Sequence, residues 1–75
     1  MQRYANLGGD SGVTHFEIGS DCITVRFSDG SEYEYTNAST GPPWIAEMQR
    51  LALEGQGLNS FISRVVKKAF SRRIC

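Results

Sequence analysis

The chain has 75 residues, 40% of them apolar and 11% aromatic, with eight basic and eight acidic residues and no formal net charge. That length makes one small domain, and the apolar content is too high for a chain disordered throughout. No run approaches the roughly 18 apolar residues of a membrane span, and the N-terminus carries no apolar signal segment, so a cytoplasmic protein with no membrane partner is expected.

Residues 1–12 contain Gly8, Gly9 and Gly12 among polar neighbours. They read as a flexible arm from which Tyr4 and Leu7 can dock locally. Residues 13–18 form the first predicted strand, with Thr14, Phe16 and Ile18 on one side and Val13, His15 and Glu17 on the other. Gly19-Ser20-Asp21 then turns the chain, so that residues 22–27 return antiparallel to it.

The stretch from Ile23 to Tyr35 is a hairpin whose register decides where two tyrosines go. Asp29-Gly30 is a strong signal for a two-residue type I′ turn. That turn sets Tyr33 opposite Arg26 and Tyr35 opposite Thr24. Both rings then lie on the outer face beside Arg26, a surface on which bases could stack. A three-residue loop, Ser28-Asp29-Gly30 with Gly30 in the left-handed region, sets Val25 opposite Tyr33 and Ile23 opposite Tyr35. It gathers Ile23, Val25, Phe27, Tyr33 and Tyr35 on one face. The second loop is preferred, because burying five large side chains at about 25 cal/mol per Å² outweighs a local turn preference.

Pro42-Pro43 stops the third strand and opens a helix. From Trp44 the period is helical, with Trp44, Ile45, Met48, Leu51, Ala52 and Gly55 on one side and a Glu47–Arg50 pair on the other. Gly55-Gln56-Gly57 ends this helix. A second helix is predicted from residue 58 or 59 to about 70, burying Leu58, Phe61, Ile62, Val65 and Ala69. Residues 72–75 read as a frayed basic tail.

The order is β-β-β-α-α. It predicts an α+β domain over residues 13–71, a three-stranded antiparallel meander with two helices packed on one face of the sheet. About a dozen large apolar side chains make a thin core, which suits a monomer or a weak homo-oligomer.

The run Ile23-Thr24-Val25-Arg26-Phe27, a glycine turn and Tyr33-Glu34-Tyr35 together resemble the KTSC domain. Pro42-Pro43 before one helix and Gly57-Leu58-Asn59-Ser60-Phe61-Ile62 opening the next extend the likeness over residues 11–66. That family is named for the C-terminal domain of some lysyl-tRNA synthetases and also occurs as free-standing small bacterial proteins. The resemblance implies the fold above and, through the synthetase association, RNA as a partner. The chain departs from the family pattern at Gly55, where a serine often stands.

Charge divides along the chain. Residues 1–57 hold three basic residues against eight acidic ones, whereas residues 58–75 hold Arg64, Lys67, Lys68, Arg72 and Arg73 and no acid. These five cations are the first candidate site, for phosphates of RNA or DNA or for an acidic protein surface. Arg26, Tyr33 and Tyr35 are the second, as a stacking surface. His15 with Glu17 offers too few ligands for a metal. Glu32 and Glu34 on one strand make no cleft for paired-carboxylate chemistry. Cys22 and Cys75 show no ligand spacing and are expected as reduced thiols. A binding module without catalytic residues, metal or cofactor is therefore expected. The alternative is a protein-interaction or self-association module without a nucleic-acid role.

Overall fold

A computed structural model describes residues 1–7, 9, 12–67 and 69–73. The α+β architecture is as expected, but the sheet is wider than three strands. It is antiparallel throughout, in the order β1 (Gln2–Arg3), β2 (Val13–Ile18), β3 (Cys22–Phe27), β4 (Glu32–Thr36), β5 (Arg72–Arg73). The two added strands are two residues each, too short to show any period in sequence. Part of the segment read as an arm is thus an edge strand, and Tyr4 beyond it is buried at 2% exposure. Its Oη accepts the Leu58 N–H (3.2 Å) while its ring meets Phe16 edge-on. At the other edge, Arg72 and Arg73 of the expected frayed tail pair with Glu34 and Tyr33. Ile74 and Cys75 lie outside the described residues, and Cys22 is a free thiol.

The hairpin takes the three-residue loop. Val25 stands opposite Tyr33 and Ile23 opposite Tyr35. Phe27 N–H donates to Ser31 O (2.8 Å) and Gly30, at φ +91°, donates to Phe27 O (2.9 Å). Asp29 Oδ1 accepts from both the Ser31 N–H (2.9 Å) and its hydroxyl (2.6 Å), which closes the loop locally. Register and burial therefore agree, since the positive φ is available to glycine without steric cost.

In β2 the alternation read from sequence breaks. A bulge between Val13 and His15 inserts one residue, so Val13 is buried together with Phe16 rather than facing outward. Ile18, expected inside, ends the strand and is 37% exposed.

The helical layer covers one face. Helix α1 (Pro42–Glu54) begins after Gly41 and stops at Gly55, which is left-handed (φ +81°) and donates to Leu51 O. It buries Ile45, Met48 and Ala52, as its period requires. Trp44, expected in that stripe, stands at its flank and is 47% exposed. The second helix is shorter than predicted. Helix α2 (Leu58–Phe61) runs into a π-helical turn over Ile62–Val66, closed by Lys67 N–H to Ile62 O (2.6 Å). An i→i+5 turn uses more residues to come round than an i→i+4 turn. The side chain that returns to the core is consequently Val66 (5% exposed), and Val65 (43% exposed) is turned out.

Helix geometry then stops at Lys67, whose φ is +48° and ψ −113°. Residues 69–73 run back along β4. Phe70 lies against Tyr33 (ring centroids 4.5 Å) and Tyr35 (6.1 Å), Thr40 Oγ1 donates to Ala69 O (2.8 Å), and Ser71 N–H donates to Glu34 O (2.6 Å). Covering the sheet aromatics with Phe70 is the non-local gain that wins over one more helical turn. The core joins Tyr4, Val13, Phe16, Ile23, Val25 and Tyr35 of the sheet side to Ile45, Met48, Ala52, Leu58, Ile62 and Val66 of the helical side.

Candidate functional site

The sheet face away from the helices is polar, and the pairing fixes its pattern. One row across the strands is Arg3, His15, Arg26, Glu32, and the next is Glu17, Thr24, Glu34, Arg72. Arg26 Nε donates to Glu32 Oε2 (2.7 Å) and Arg72 Nε to Glu34 Oε1 (3.0 Å). Both carboxylates that could have formed an acid pair are thus engaged by arginines. Exposed pairs of this kind are worth about 0–1 kcal/mol each and leave the face near charge balance. His15 Nδ1 lies 3.1 Å from Thr14 Oγ1. Among the described residues, no three His, Cys, Asp or Glu side chains stand where they could hold a metal ion. No helix among them is long and apolar enough to cross a membrane.

The stacking surface of Arg26, Tyr33 and Tyr35 does not form. In the observed register the tyrosines share the inner face with Val25 and Ile23, on the opposite side from Arg26. Tyr35 is 1% exposed, and burial, assisted by the neighbouring Tyr33, pushes its phenol up to about 12. Tyr33 is half-buried between Phe27 (5.8 Å) and Phe70. No ring is offered to solvent there as a platform.

The five C-terminal cations do not share one helix face. Arg64 lies on the π turn and Lys67 at its end, both exposed. Arg72 lies on β5, at the sheet edge, committed to Glu34. Arg73 follows it with its backbone paired to Tyr33, and Lys68 lies outside the described residues. The chain leaves the helix at Lys67, so the expected arc of charge is cut in two. Arg64 and Lys67 have no ion-pair partner among the described residues.

Arg64 borders a feature that charge counting missed. Between α1 and the second helical segment runs an open groove of about 390 Å³, lined by Leu51, Gly57, Ser60, Phe61, Arg64 and Val65. Leu51, Phe61 and Val65 make its apolar surface, and Trp44 packs against Phe61 at 5.9 Å while remaining 47% exposed. On α1 the positions next outward from Leu51 are Glu47 and Glu54, both bonded to Arg50. The guanidinium of Arg50 holds the Glu47 carboxyl below its ordinary range. One rim of the groove is therefore an ion-paired cluster, and the other carries Arg64. Trp44 and Leu51 are seven residues apart, a spacing that already put them on one flank in the sequence. Val65 gave no such signal, because its exposure follows from the π turn.

No family profile matches the chain, and no curated protein or solved structure matches it.

Proposed function

We propose that this chain is a small non-enzymatic binding module of the KTSC type, and that its working surface is the groove between α1 and the π turn. The partner it suits is a protein segment that offers an apolar side chain and a carboxylate. The observation that carries this reading is the exposure of Trp44 (47%) and Val65 (43%) beside Arg64, whose guanidinium has no ion-pair partner among the described residues. Exposed apolar residues gathered round a concave site are a common mark of an interaction surface. A cation at the rim adds orientation more than affinity. The KTSC part of this reading rests on the sequence motifs, with which the hairpin register and the two helices that follow are compatible. At the departing position, a side chain on Gly55 would meet Ala5 Cβ at 2.6 Å, so this chain has no room there for the family's serine.

A nucleic-acid partner is the second reading, favoured by one observation. Arg64 and Lys67 are both exposed and free of ion pairs among the described residues. Two cations make few phosphate contacts, and the resulting affinity would be weak and strongly salt-dependent.

Nuclear magnetic resonance separates the two readings. A soluble peptide alternating leucine and glutamate at helical spacing is expected to shift the resonances of Trp44, Leu51, Arg64 and Val65, and Val65→Glu with Arg64→Glu is expected to abolish the shifts. Single-stranded RNA is expected to leave those four residues unmoved even at low salt. Shifts caused by RNA alone, lost in Arg64→Glu/Lys67→Glu, would establish the second reading and remove the first.

A further inference from the structure

We infer that residues 69–73 are an exchangeable strand, and that the slot they fill on β4 takes the same segment of a second copy of this chain. This inference is independent of the groove, which shares no lining residue with the slot.

The slot is described by what it holds. An aromatic ring is accepted against Tyr33 and Tyr35, with centroids at 4.5 and 6.1 Å. The backbone is accepted antiparallel to β4, through Ser71 N–H to Glu34 O and the pairing of Arg72 and Arg73 with Glu34 and Tyr33. A guanidinium two residues beyond the ring is accepted by Glu34 Oε1 at 3.0 Å. Thr40 Oγ1 fixes the carbonyl before the ring, at Ala69. These features select an extended segment in the pattern Phe-Ser-Arg, which this chain carries at residues 70–72.

The connection to that segment is strained. Lys67 is a side-chain-bearing residue at φ +48° and ψ −113°, outside the favourable left-handed basin. The closed chain holds this conformation because the segment must fold back within one molecule. If the segment instead reaches the slot of a second copy, every slot contact is remade and each Lys67 is free to take an extended conformation. The core stays intact, because Val66 is its last buried residue among the described ones and the exchange begins after it. Any other ligand of the slot must displace a tethered tail whose effective concentration is of order millimolar. A second copy trades tail for tail, so the slot contacts balance, and the strain relieved at two Lys67 residues is set against the entropy of association alone.

The test is the dimerisation constant of three full-length chains by sedimentation. Wild type is compared with Lys67→Gly, which relieves the strain in the closed form, and Lys67→Val, which worsens it because a β-branched residue resists positive φ. Dimerisation is expected to be strongest in the Lys67→Val variant, intermediate in wild type and weakest in the Lys67→Gly variant, with about tenfold or more between the extremes. Mixing isotope-labelled with unlabelled chains should give nuclear Overhauser effects between Phe70 of one copy and Tyr33 of the other. The inference is overturned by three equal constants, by a monomer in all three chains up to about 1 mM, or by a dimer whose Phe70–Tyr33 contacts are wholly intramolecular.

Discussion

Replacing Tyr35 with phenylalanine gives a measurement that reports directly on the hairpin register. The Tyr35 phenol is buried and pushed up to about 12 by that burial first and by Tyr33 second. In the unfolded chain a tyrosine ionises near about 10. Folding therefore favours the neutral phenol, and the stabilisation it brings is whole below pH 10 and lost as pH rises toward 12. With those two values, wild type should lose about 1 kcal/mol by pH 11 from this group alone, and roughly 3 kcal/mol well beyond pH 12. Urea unfolding of wild type and Tyr35→Phe at pH 8 and pH 11 isolates the effect, because every other titrating group is common to both chains. The stability of wild type should fall by about 1 kcal/mol more than that of the variant. An equal fall in the two would mean an exposed phenol. That is the outcome required by a two-residue Asp29-Gly30 turn, which would turn Tyr35 away from the core.

Three further outcomes test the packing. Val65→Asp should leave stability within about 0.5 kcal/mol, while Val66→Asp should cost more than about 4 kcal/mol or prevent folding, as read by thermal unfolding. The reverse order would place the helix in ordinary α phase. Met48→Ala, at a fully buried position of α1, should cost about 2–5 kcal/mol in chemical denaturation, and a loss below about 1 kcal/mol would remove Met48 from the core. Gly55→Ala should cost roughly 1–3 kcal/mol, since the residue is at φ +81° and its new Cβ would stand 2.6 Å from Ala5 Cβ. Hydrogen exchange should then rise at Leu7, whose N–H donates to Gly55 O (2.7 Å), and unchanged protection there would refute the coupling.

The parts of the fold legible from sequence are those where a local signal and burial agree. Gly30 can take a positive φ, and the register that uses it is also the one that buries five large side chains. Pro42-Pro43 and Gly55 bracket α1 for steric reasons that need no tertiary context. Elsewhere one inserted residue defeats periodicity. The bulge after Val13 brings that residue onto the core side with Phe16, and the π turn hands Val65's place to Val66. Neither insertion leaves a mark in composition. The basic stretch misled for a different reason. Its charges are contiguous in sequence, but Phe70 is drawn to the tyrosines of β4 and carries Arg72 away from Arg64. Trp44 and Leu51 were readable as one flank of a helix. Whether that flank is covered depended on where α2 lies, which no local pattern states.

The two-residue edge strands bear on how this sheet behaves in a crowded solution. A sheet grows by recruiting chains onto long, flat, apolar edges, where unpaired backbone groups serve as a template. Here each edge offers only two paired positions, and an arginine stands on each, Arg3 on one side and Arg72 on the other. Like charges would meet wherever two copies of the same edge approached, and a two-residue ladder gives little in return. The three longer strands, rich in Val, Ile, Phe and Tyr, are thus bordered over part of their length by ends that resist extension. Open-ended stacking into fibrils is opposed at both margins, and the inferred exchange of residues 69–73 would close at two chains where it is reciprocal.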